Sequence, residues 1–425
     1  MSNLINTPSV LIALAAIVIV SYLFNLLAKR TRIPSVLMLL GMGMLLSTLG
    51  TYLHLPQPNV QPSLEILGSI GLIMIVLEAA LDLEFSRERR NIVSRSLLLT
   101  LLEMGLTVVF LAGLFHIGMD ASWESALLYA VPLSILSSAI VIPSIEYFKK
   151  DLKEFMIYQS TFSDIIGIML FYFLIEGFEN PSGSATEWLL QFGWSFGISV
   201  VVSAVFSYLL VLLLQNIKTQ LKLFLLISVL ILLYALGKLL HLSSLLVILI
   251  FGMILNNPRL FFPGRLQRLL KANIVSSLLK DFKLITRETA FIVRTFFFVV
   301  FGYSIDLSSL GNPLVVFFAA LSLIGIYQIR KLAINWTVRK PSILLNYLAP
   351  RGLITILLFY AIPENMVISQ FDNGILLYII LATSSIMAWG MVRHKDKDDH
   401  RTLGEVIRET GSIDPEALEG ESRIQ

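Results

Sequence analysis

The chain has 425 residues, of which 56% are hydrophobic and 14% are charged, and its formal net charge is +3. A mean hydropathy of +0.80 excludes an ordinary soluble globular protein of this length and indicates a membrane protein. The absence of cysteine excludes disulfides, thiol catalysis and cysteine-based metal sites.

Apolar runs, taken in chain order, predict an all-α polytopic membrane protein with about thirteen transmembrane helices, because each run is close to the length that crosses a bilayer. They lie near 8–28, 33–53, 64–83, 94–116, 123–145, 154–177, 187–214, 222–239, 242–256, 288–310, 313–336, 342–362 and 374–393. We therefore expect a transmembrane domain over 1–393. The remaining 394–425 form a short polar tail, too small for a nucleotide-binding domain.

Lysine and arginine fall in every second loop, beginning with Lys29 and Arg30, and they are densest in 257–287. Basic residues accumulate on the cytoplasmic side, so this alternation predicts an N-terminus outside the cell (inner) membrane and a cytoplasmic C-terminus. Within the longest loop, 265–282 has apolar residues at helical spacing among basic ones. This pattern predicts a helix lying along the inner membrane surface.

Two segments of the first half recur in the same order in the second half. Residues 33–46 (IPSVLMLLGMGMLL) align without a gap on 242–255 (LSSLLVILIFGMIL). Residues 76–83 (VLEAALDL) align on 300–307 (VFGYSIDL). Two aligned pairs in the same order favour two homologous halves over chance similarity between apolar helices.

The predicted topology makes this repeat inverted, because spans 2 and 3 run in the opposite sense to spans 9 and 10 when span 7 is a linker. The first alignment places Gly43 opposite Gly252. We therefore expect two inverted-topology six-helix repeats. Their predicted boundaries are about 8–177 for the first repeat, 187–214 for the linker helix and 222–393 for the second repeat.

Spans 5 and 12, at equivalent places in the two halves, are both interrupted by helix-breaking residues. Residues 131–145 (VPLSILSSAIVIPSI) contain two prolines around Ser137 and Ser138, and 346–358 (NYLAPRGLITILL) contain a proline and Gly352. Because proline removes a backbone donor and glycine loosens a helix, each segment can expose carbonyls and helix ends to an ion. The paired placement favours a role in substrate binding over two incidental kinks.

Asp164 lies in the middle of span 6, within 158–174 (YQSTFSDIIGIMLFYFL). A carboxylate at the bilayer centre costs roughly 3 kcal/mol unless it is paired or protonated, so it indicates either a functional site or a structural bridge. A stripe of Ser160, Ser163 and Gly167 at i, i+3 and i+7 favours oxygen ligands for a hard monovalent cation. Asp164 would then carry a proton and the cation alternately. The candidate cation- and proton-binding residues are Asp164, Ser163, Ser160, Ser137, Ser138 and Gln159.

Other charged residues inside the spans are candidates for structural or charge-compensating roles. An arginine at position 351 can hold carbonyl ends and carboxylates together, because its guanidinium does not readily lose its charge. For Glu103, in span 4, we favour a structural role. The candidates in this class are Arg351, Arg330, Arg294, Glu78 and Gly352.

These motifs resemble those of monovalent cation/proton antiporters, the sodium/proton or potassium/proton exchangers of the thirteen-span type, over nearly all of 8–393. Ser163 and Asp164 stand where members carry an Asn-Asp or Asp-Asp pair in span 6. Residues 77–85 (LEAALDLEF) resemble the span-3 pattern FEGGLNLDL, and 350–358 (PRGLITILL) match the Arg-Gly of span 12. Two further matches are 294–307 (RTFFFVVFGYSIDL), with the Phe-rich span 10, and 329–334 (IRKLAI), with the segment carrying a Lys or Arg.

The resemblance implies a core with two crossed, interrupted helices that moves like an elevator against a dimerising panel, and hence a homodimer. Two departures affect the site. The sequence SSA at 137–139 replaces the TDP of many sodium/proton members and is closer to the SST of potassium-efflux relatives. The glutamate that commonly precedes the span-6 pair is Gln159 here, so Asp164 is expected to be the only carboxylate of the site.

A single carboxylate that exchanges one proton for one monovalent cation gives an electroneutral antiporter, with Na⁺ or K⁺ as the cation. The same fold could instead serve a cation channel or a sodium-coupled symporter, which flux coupled to a counter-moving proton would distinguish. No catalytic constellation can be assembled, since the histidines lie at membrane edges or in the tail, so we expect no enzyme activity. We also expect no cofactor and no nucleic-acid partner; the expected partners are the cation, H⁺, the lipid membrane and a second copy of the chain.

Overall fold

A computed structural model describes most of the chain, and every regular element in the described part is helical. The described residues are 7–31, 33–54, 61–83, 89–145, 148, 150–179, 185–215, 227–232, 234–235, 244–262, 272–305, 311–338 and 342–394. The α-helices are α1 (Thr7–Thr31), α2 (Ser35–Tyr52), α3 (Gln61–Asp82), α4 (Arg90–Gly118), α5 (Trp123–Ser134), α6 (Ser138–Ser144), α7 (Lys150–Glu179), α8 (Ala185–Leu214), α9 (Ser244–Asn256), α10 (Pro258–Phe261), α11 (Ala272–Ser304), α12 (Pro313–Thr337), α13 (Leu353–Tyr360) and α14 (Asn373–Arg393). Two 3₁₀ helices cover Ile343–Asn346 and Glu364–Met366.

Each of the thirteen predicted spans falls on described helix, although the eighth does so only at 227–232 and 234–235. Within the described residues, six helical segments meet a strict standard of length and apolarity for crossing a membrane. They are Ser35–Tyr52, Arg90–Gly118, Trp123–Ser144, Lys150–Phe178, Pro313–Thr337 and Asn373–Arg393. The prediction of an all-α polytopic membrane protein is confirmed.

The segment predicted to lie along the inner membrane surface differs from that expectation. Part of it, 265–271, lies outside the described residues; from Ala272 the chain continues as one helix through to Ser304. No glycine or proline occurs in this helix before Gly302, so nothing in the backbone separates an amphipathic part from the span. A 33-residue helix is about 50 Å long, which exceeds the hydrocarbon thickness of a bilayer.

Spans 5 and 12 are interrupted where the sequence predicted. Helix α5 ends at Ser134 and α6 begins at Ser138, so that 135–137 are non-helical. In span 12 a 3₁₀ turn ends at Asn346, and α13 begins only after Gly352. All residues of 128–141 are buried, which keeps the backbone groups freed by the first interruption away from lipid.

The two repeats pack on each other reciprocally at the glycines that the sequence alignment pairs. A Cβ atom on Gly43 of α2 would lie 2.2 Å from the carbonyl oxygen of Val299 and 2.9 Å from the Cα of Gly302, both in α11. A Cβ atom on Gly252 of α9 would lie 2.5 Å from the Cβ of Ala80 in α3. Span 2 therefore packs on span 10, and span 9 packs on span 3. Two inverted repeats related by a pseudo-two-fold axis give this arrangement.

A candidate cation site at the crossing of two interrupted helices

The two interruptions meet in the centre of the protein. The backbone N–H of Ser137 donates to the carbonyl of Pro350 over 3.0 Å, which joins span 5 to span 12. At the same point a Cβ atom on Gly352 would lie 2.5 Å from Ser137 Oγ and 2.8 Å from Ile140 Cδ1. A residue without a side chain leaves room for the side chains of Ser137 and Ile140 against the backbone of span 12, and Gly352 supplies it.

Asp164 of α7 lies against the interruption of span 5. Its side chain is 2% exposed, and its Oδ2 accepts a hydrogen bond of 3.3 Å from the backbone N–H of Ser138, the first residue of α6. Its other oxygen, Oδ1, is buried and has no hydrogen-bond partner among the described residues. Ser163 Oγ accepts from the backbone N–H of Leu136 over 2.8 Å. Two adjacent residues of α7 therefore receive two of the backbone donors that the interruption frees.

Arg351 holds the carbonyl side of the same crossing. Its Nε donates to the carbonyl of Leu133 over 2.7 Å, and its Nη1 donates to the carbonyl of Ala349 over 3.0 Å. In an uninterrupted helix the carbonyl of Leu133 would accept from the N–H of Ser137, which instead donates to the second interruption. A fully buried cation at the C-terminal end of α5 also interacts favourably with the helix dipole.

Arg294 of α11 reaches the other half of span 5. Its Nη1 donates to the carbonyl of Ala139 in α6 over 2.9 Å, and its Nη2 forms an ion pair of 3.2 Å with Glu78 of α3. The side chains of Arg294 and Glu78 are both partly exposed. Arg351, in the interruption of span 12, and Arg294, on α11, thus hold the two half-helices of span 5.

A separate buried charge cluster lies between α4, α7 and α12. Arg330 is fully buried, and its Nη1 lies 2.9 and 2.8 Å from the two carboxylate oxygens of Glu103. The Nε of Arg330 donates to the carbonyl of Leu345, just before the interruption of span 12. Gln159 donates from Nε2 to Glu103 over 2.8 Å, so its amide takes part in this cluster. The charge of Arg330 is therefore balanced by Glu103.

The predicted ligands divide into two groups in the structure. Asp164, Ser138, Ser163 and Ser137 are brought together at the crossing, where Ser137 Oγ is buried and unpartnered. The other two predicted ligands, Ser160 and Gln159, have different partners. The hydroxyl of Ser160 donates to the carbonyl of Ile157 within its own helix over 3.3 Å, and the amide of Gln159 donates to Glu103.

The sequence analysis did not single out Thr355, whose hydroxyl is also buried without a hydrogen-bond partner in the described structure. Its position could have indicated it, because Thr355 follows Gly352 by one turn and lies in the first turn of α13. The described residues contain no group of three or more His, Asp or Glu side chains that could hold a metal. The chemistry available at the crossing is therefore one carboxylate with hydroxyl and carbonyl oxygens, a donor set suited to a hard monovalent cation.

A model of the family described as "Sodium/hydrogen exchanger, transmembrane" matches residues 13–392. The chain belongs to this sodium/hydrogen exchanger family. Its fold is similar to a structure of the sodium proton antiporter MjNhaP1 from Methanocaldococcus jannaschii at pH 8, with 19% identity, 93% of this chain and 95% of that chain covered, and a TM-score of 0.64. An electron-microscopy structure of the same antiporter gives 18% identity, 94% and 100% coverage and a TM-score of 0.65. No curated protein matches the chain.

Membership of the exchanger family gives the broad function class, which is cation/proton exchange by a multi-pass membrane protein. The likeness to the MjNhaP1 antiporter, at 19% identity, shows the fold. Both interrupted spans and the helix that carries Asp164 lie within the segment that the family model matches. The residues at the crossing are therefore the candidate site for cation and proton binding.

Proposed function

We propose that this exchanger-family protein is an electroneutral antiporter in which Asp164 binds a proton and a monovalent cation, Na⁺ or K⁺, in alternation. The observation that carries the proposal is the position of one buried carboxylate at the crossing of two interrupted helices, with one oxygen unpartnered. The cation is bound by that carboxylate with hydroxyl and carbonyl oxygens of the crossing. When the cation leaves, the proton takes its place.

The environment of Asp164 favours a titratable ligand over a structural bridge. In the described part of the chain, none of the ion pairs includes Asp164. A buried carboxylate that lacks a cationic partner is costly in its charged form, so a bound cation or a proton stabilises it. Both species compete for the same oxygens, which couples their movements.

The charges around the site support one-for-one exchange. Arg330 is neutralised by Glu103, and Arg294 is paired with Glu78. Arg351 donates to the carbonyls of Leu133 and Ala349 and forms no ion pair with Asp164 in the described structure. One carboxylate then carries one positive charge in either direction, either as a proton or as the cation. Each half-cycle moves the same charge, and the complete exchange is independent of membrane potential.

The proposal extends to the movement, oligomeric state and membrane orientation of the protein. Alternating access requires the crossing, with α5 to α7 and the interrupted span 12, to move relative to the rest of the protein. We propose a homodimer in the cell (inner) membrane with the N-terminus outside and the C-terminus cytoplasmic. The repeats are proposed to cover about 8–177 and 222–393, joined by 187–214.

The experiment that tests this function uses purified protein in proteoliposomes with a preset pH gradient and a pH-sensitive dye inside. Na⁺, K⁺ and Li⁺ are added in turn to the wild-type protein, to Asp164→Asn and to Asp120→Asn. Asp120 is an exposed carboxylate in the turn after α4, so its substitution controls for the loss of a negative charge. We expect cation-triggered proton movement in the wild type and the control, and none in Asp164→Asn.

Two results would contradict the proposal. Cation movement without proton counter-movement would identify a channel or a sodium-coupled symporter of the same fold. Full exchange by Asp164→Asn would place the shared site elsewhere.

A further inference from the structure

The hydrogen bond between Arg294 and Ala139 fills a gap that the sequence of α6 creates. In an α-helix the carbonyl of residue 139 accepts from the N–H of residue 143. Position 143 is proline, which has no N–H, so the carbonyl of Ala139 lacks its α-helical donor. Arg294 Nη1 donates to this carbonyl over 2.9 Å from α11.

The same turn of α6 donates a backbone hydrogen bond to the carboxylate of Asp164. Ser138, which donates from its backbone N–H to Asp164 Oδ2, immediately precedes Ala139. Residues 137–141 are all buried, and the helix that they begin is only seven residues long. A helix this short has few bonds of its own to fix the direction of its first N–H groups.

We propose that Arg294 is a positioning residue for the Asp164 site: it replaces the hydrogen bond that Pro143 removes, and so fixes the first turn of α6 against α7. Glu78 orients the guanidinium through its ion pair with Nη2. The bond from Nη1 then aims the N–H of Ser138 at Asp164. This role rests on the proposed function of Asp164. It explains how the geometry of the site is set.

The proposal predicts a specific coupling between positions 294 and 143. Pro143→Ala restores the N–H that the carbonyl of Ala139 lacks, so the helix can satisfy this carbonyl without Arg294. Arg294→Gln should therefore impair the wild-type protein much more than it impairs Pro143→Ala. A double-mutant cycle isolates this coupling from effects that the two substitutions have separately.

The first measurement is the apparent KM for the transported cation, with Na⁺ and K⁺ as the probes, in proteoliposomes. Arg294→Gln should raise KM about tenfold in the wild-type background and less than about threefold in the Pro143→Ala background. Arg287→Gln is the matched control, because it removes another arginine of α11 that pairs with Asp82 and is about half exposed. Its KM should equal that of the wild type.

The second measurement is hydrogen–deuterium exchange of the α6 amides in purified protein, which requires no transport. Exchange should be faster in Arg294→Gln than in the wild type, and Pro143→Ala should reverse this increase. If Arg294→Gln does not fold, the cycle is repeated with Arg294→Lys, which keeps the charge but loses the two-armed geometry.

Equal effects of Arg294→Gln in both backgrounds, or a loss of maximal rate with unchanged KM and unchanged α6 exchange, would overturn the positioning role. Failure of the proposed function has a different signature. In that case Asp164→Asn retains exchange activity, while the deuterium measurement still reports whether Arg294 holds α6.

Discussion

The backbone N–H of Ser137 donates to the carbonyl of Pro350, and this bond joins the interrupted spans of the two repeats at the centre of the protein. Neither residue uses its side chain for the contact. The crossing is therefore built from backbone groups that each interruption has freed from its own helix. Side chains around the crossing, among them those of Asp164, Ser163 and Arg351, pair with the other freed groups.

Gly352→Ala should separate the two interruptions. The new Cβ would lie 2.5 Å from Ser137 Oγ and 3.0 Å from Ser137 Cβ, too close for either to remain in place. We expect loss of most exchange activity and a lower melting temperature. Gly105→Ala is the control, because nothing lies within 4 Å of a Cβ at that position of α4. Wild-type exchange in Gly352→Ala would contradict the close approach.

Arg351→Ala should destabilise the protein as well as stop transport. The substitution leaves the buried carbonyls of Leu133 and Ala349 without their donor, at a cost of about 1–3 kcal/mol for each. Thermal unfolding in detergent, followed by fluorescence, measures this loss. Arg351→Lys should recover part of the stability, since one ammonium group can reach one of the carbonyls. A fully stable Arg351→Ala protein would exclude the holding role.

Glu103→Gln should destabilise the protein more than the double variant Glu103→Gln/Arg330→Gln. Removing one partner leaves the fully buried Arg330 with an uncompensated charge, which costs about 3–5 kcal/mol. Removing both charges avoids this cost. Unfolding curves of the two single variants and the double variant give the coupling energy. Additive losses would mean that the two side chains do not act as a pair.

Asp164→Asn should fold normally and lose its response to the cation. A ligand that binds the folded state raises the melting temperature, so Na⁺ or K⁺ should stabilise the wild type and Asp120→Asn. Asparagine keeps the shape of the side chain but offers no charge to the cation. The same thermal shift in Asp164→Asn would show that the cation binds without this carboxylate.

The broad architecture could be predicted from sequence because membrane spans have a strong signal. Twenty apolar residues in a row have few alternatives to a transmembrane helix, and two prolines within one span predict an interruption, which the structure places between them. The repeat was visible because Gly43 and Gly252 both have to allow a helix of the other repeat to pack closely. These features depend on local composition or on a steric requirement at one position.

Pairings between helices could not be predicted in the same way. Gln159 lies next to the Asp164 helical face in sequence, yet its amide donates to Glu103 on α4, because helix neighbours are fixed by packing in three dimensions. The bond from Arg294 to Ala139 has a partial signal, the proline four residues after Ala139. Nothing in the sequence indicates which donor fills that gap. The surface helix was expected from amphipathicity alone. Amphipathicity does not show that the segment from Ala272 continues into the span as one helix.

Electroneutral exchange through Asp164 is tested most directly by measuring how the exchange rate depends on membrane potential. Proteoliposomes with a fixed pH gradient are clamped at several potentials with K⁺ and valinomycin, Na⁺ is added, and proton movement is followed. If Na⁺ triggers no proton movement, the protein is assayed with K⁺ as the transported ion and the potential set by a lipophilic ion. We predict a cation-dependent rate that is the same at every potential and is abolished by Asp164→Asn. A rate that changes with potential, or that persists in Asp164→Asn, would contradict a single carboxylate shared by the proton and the cation.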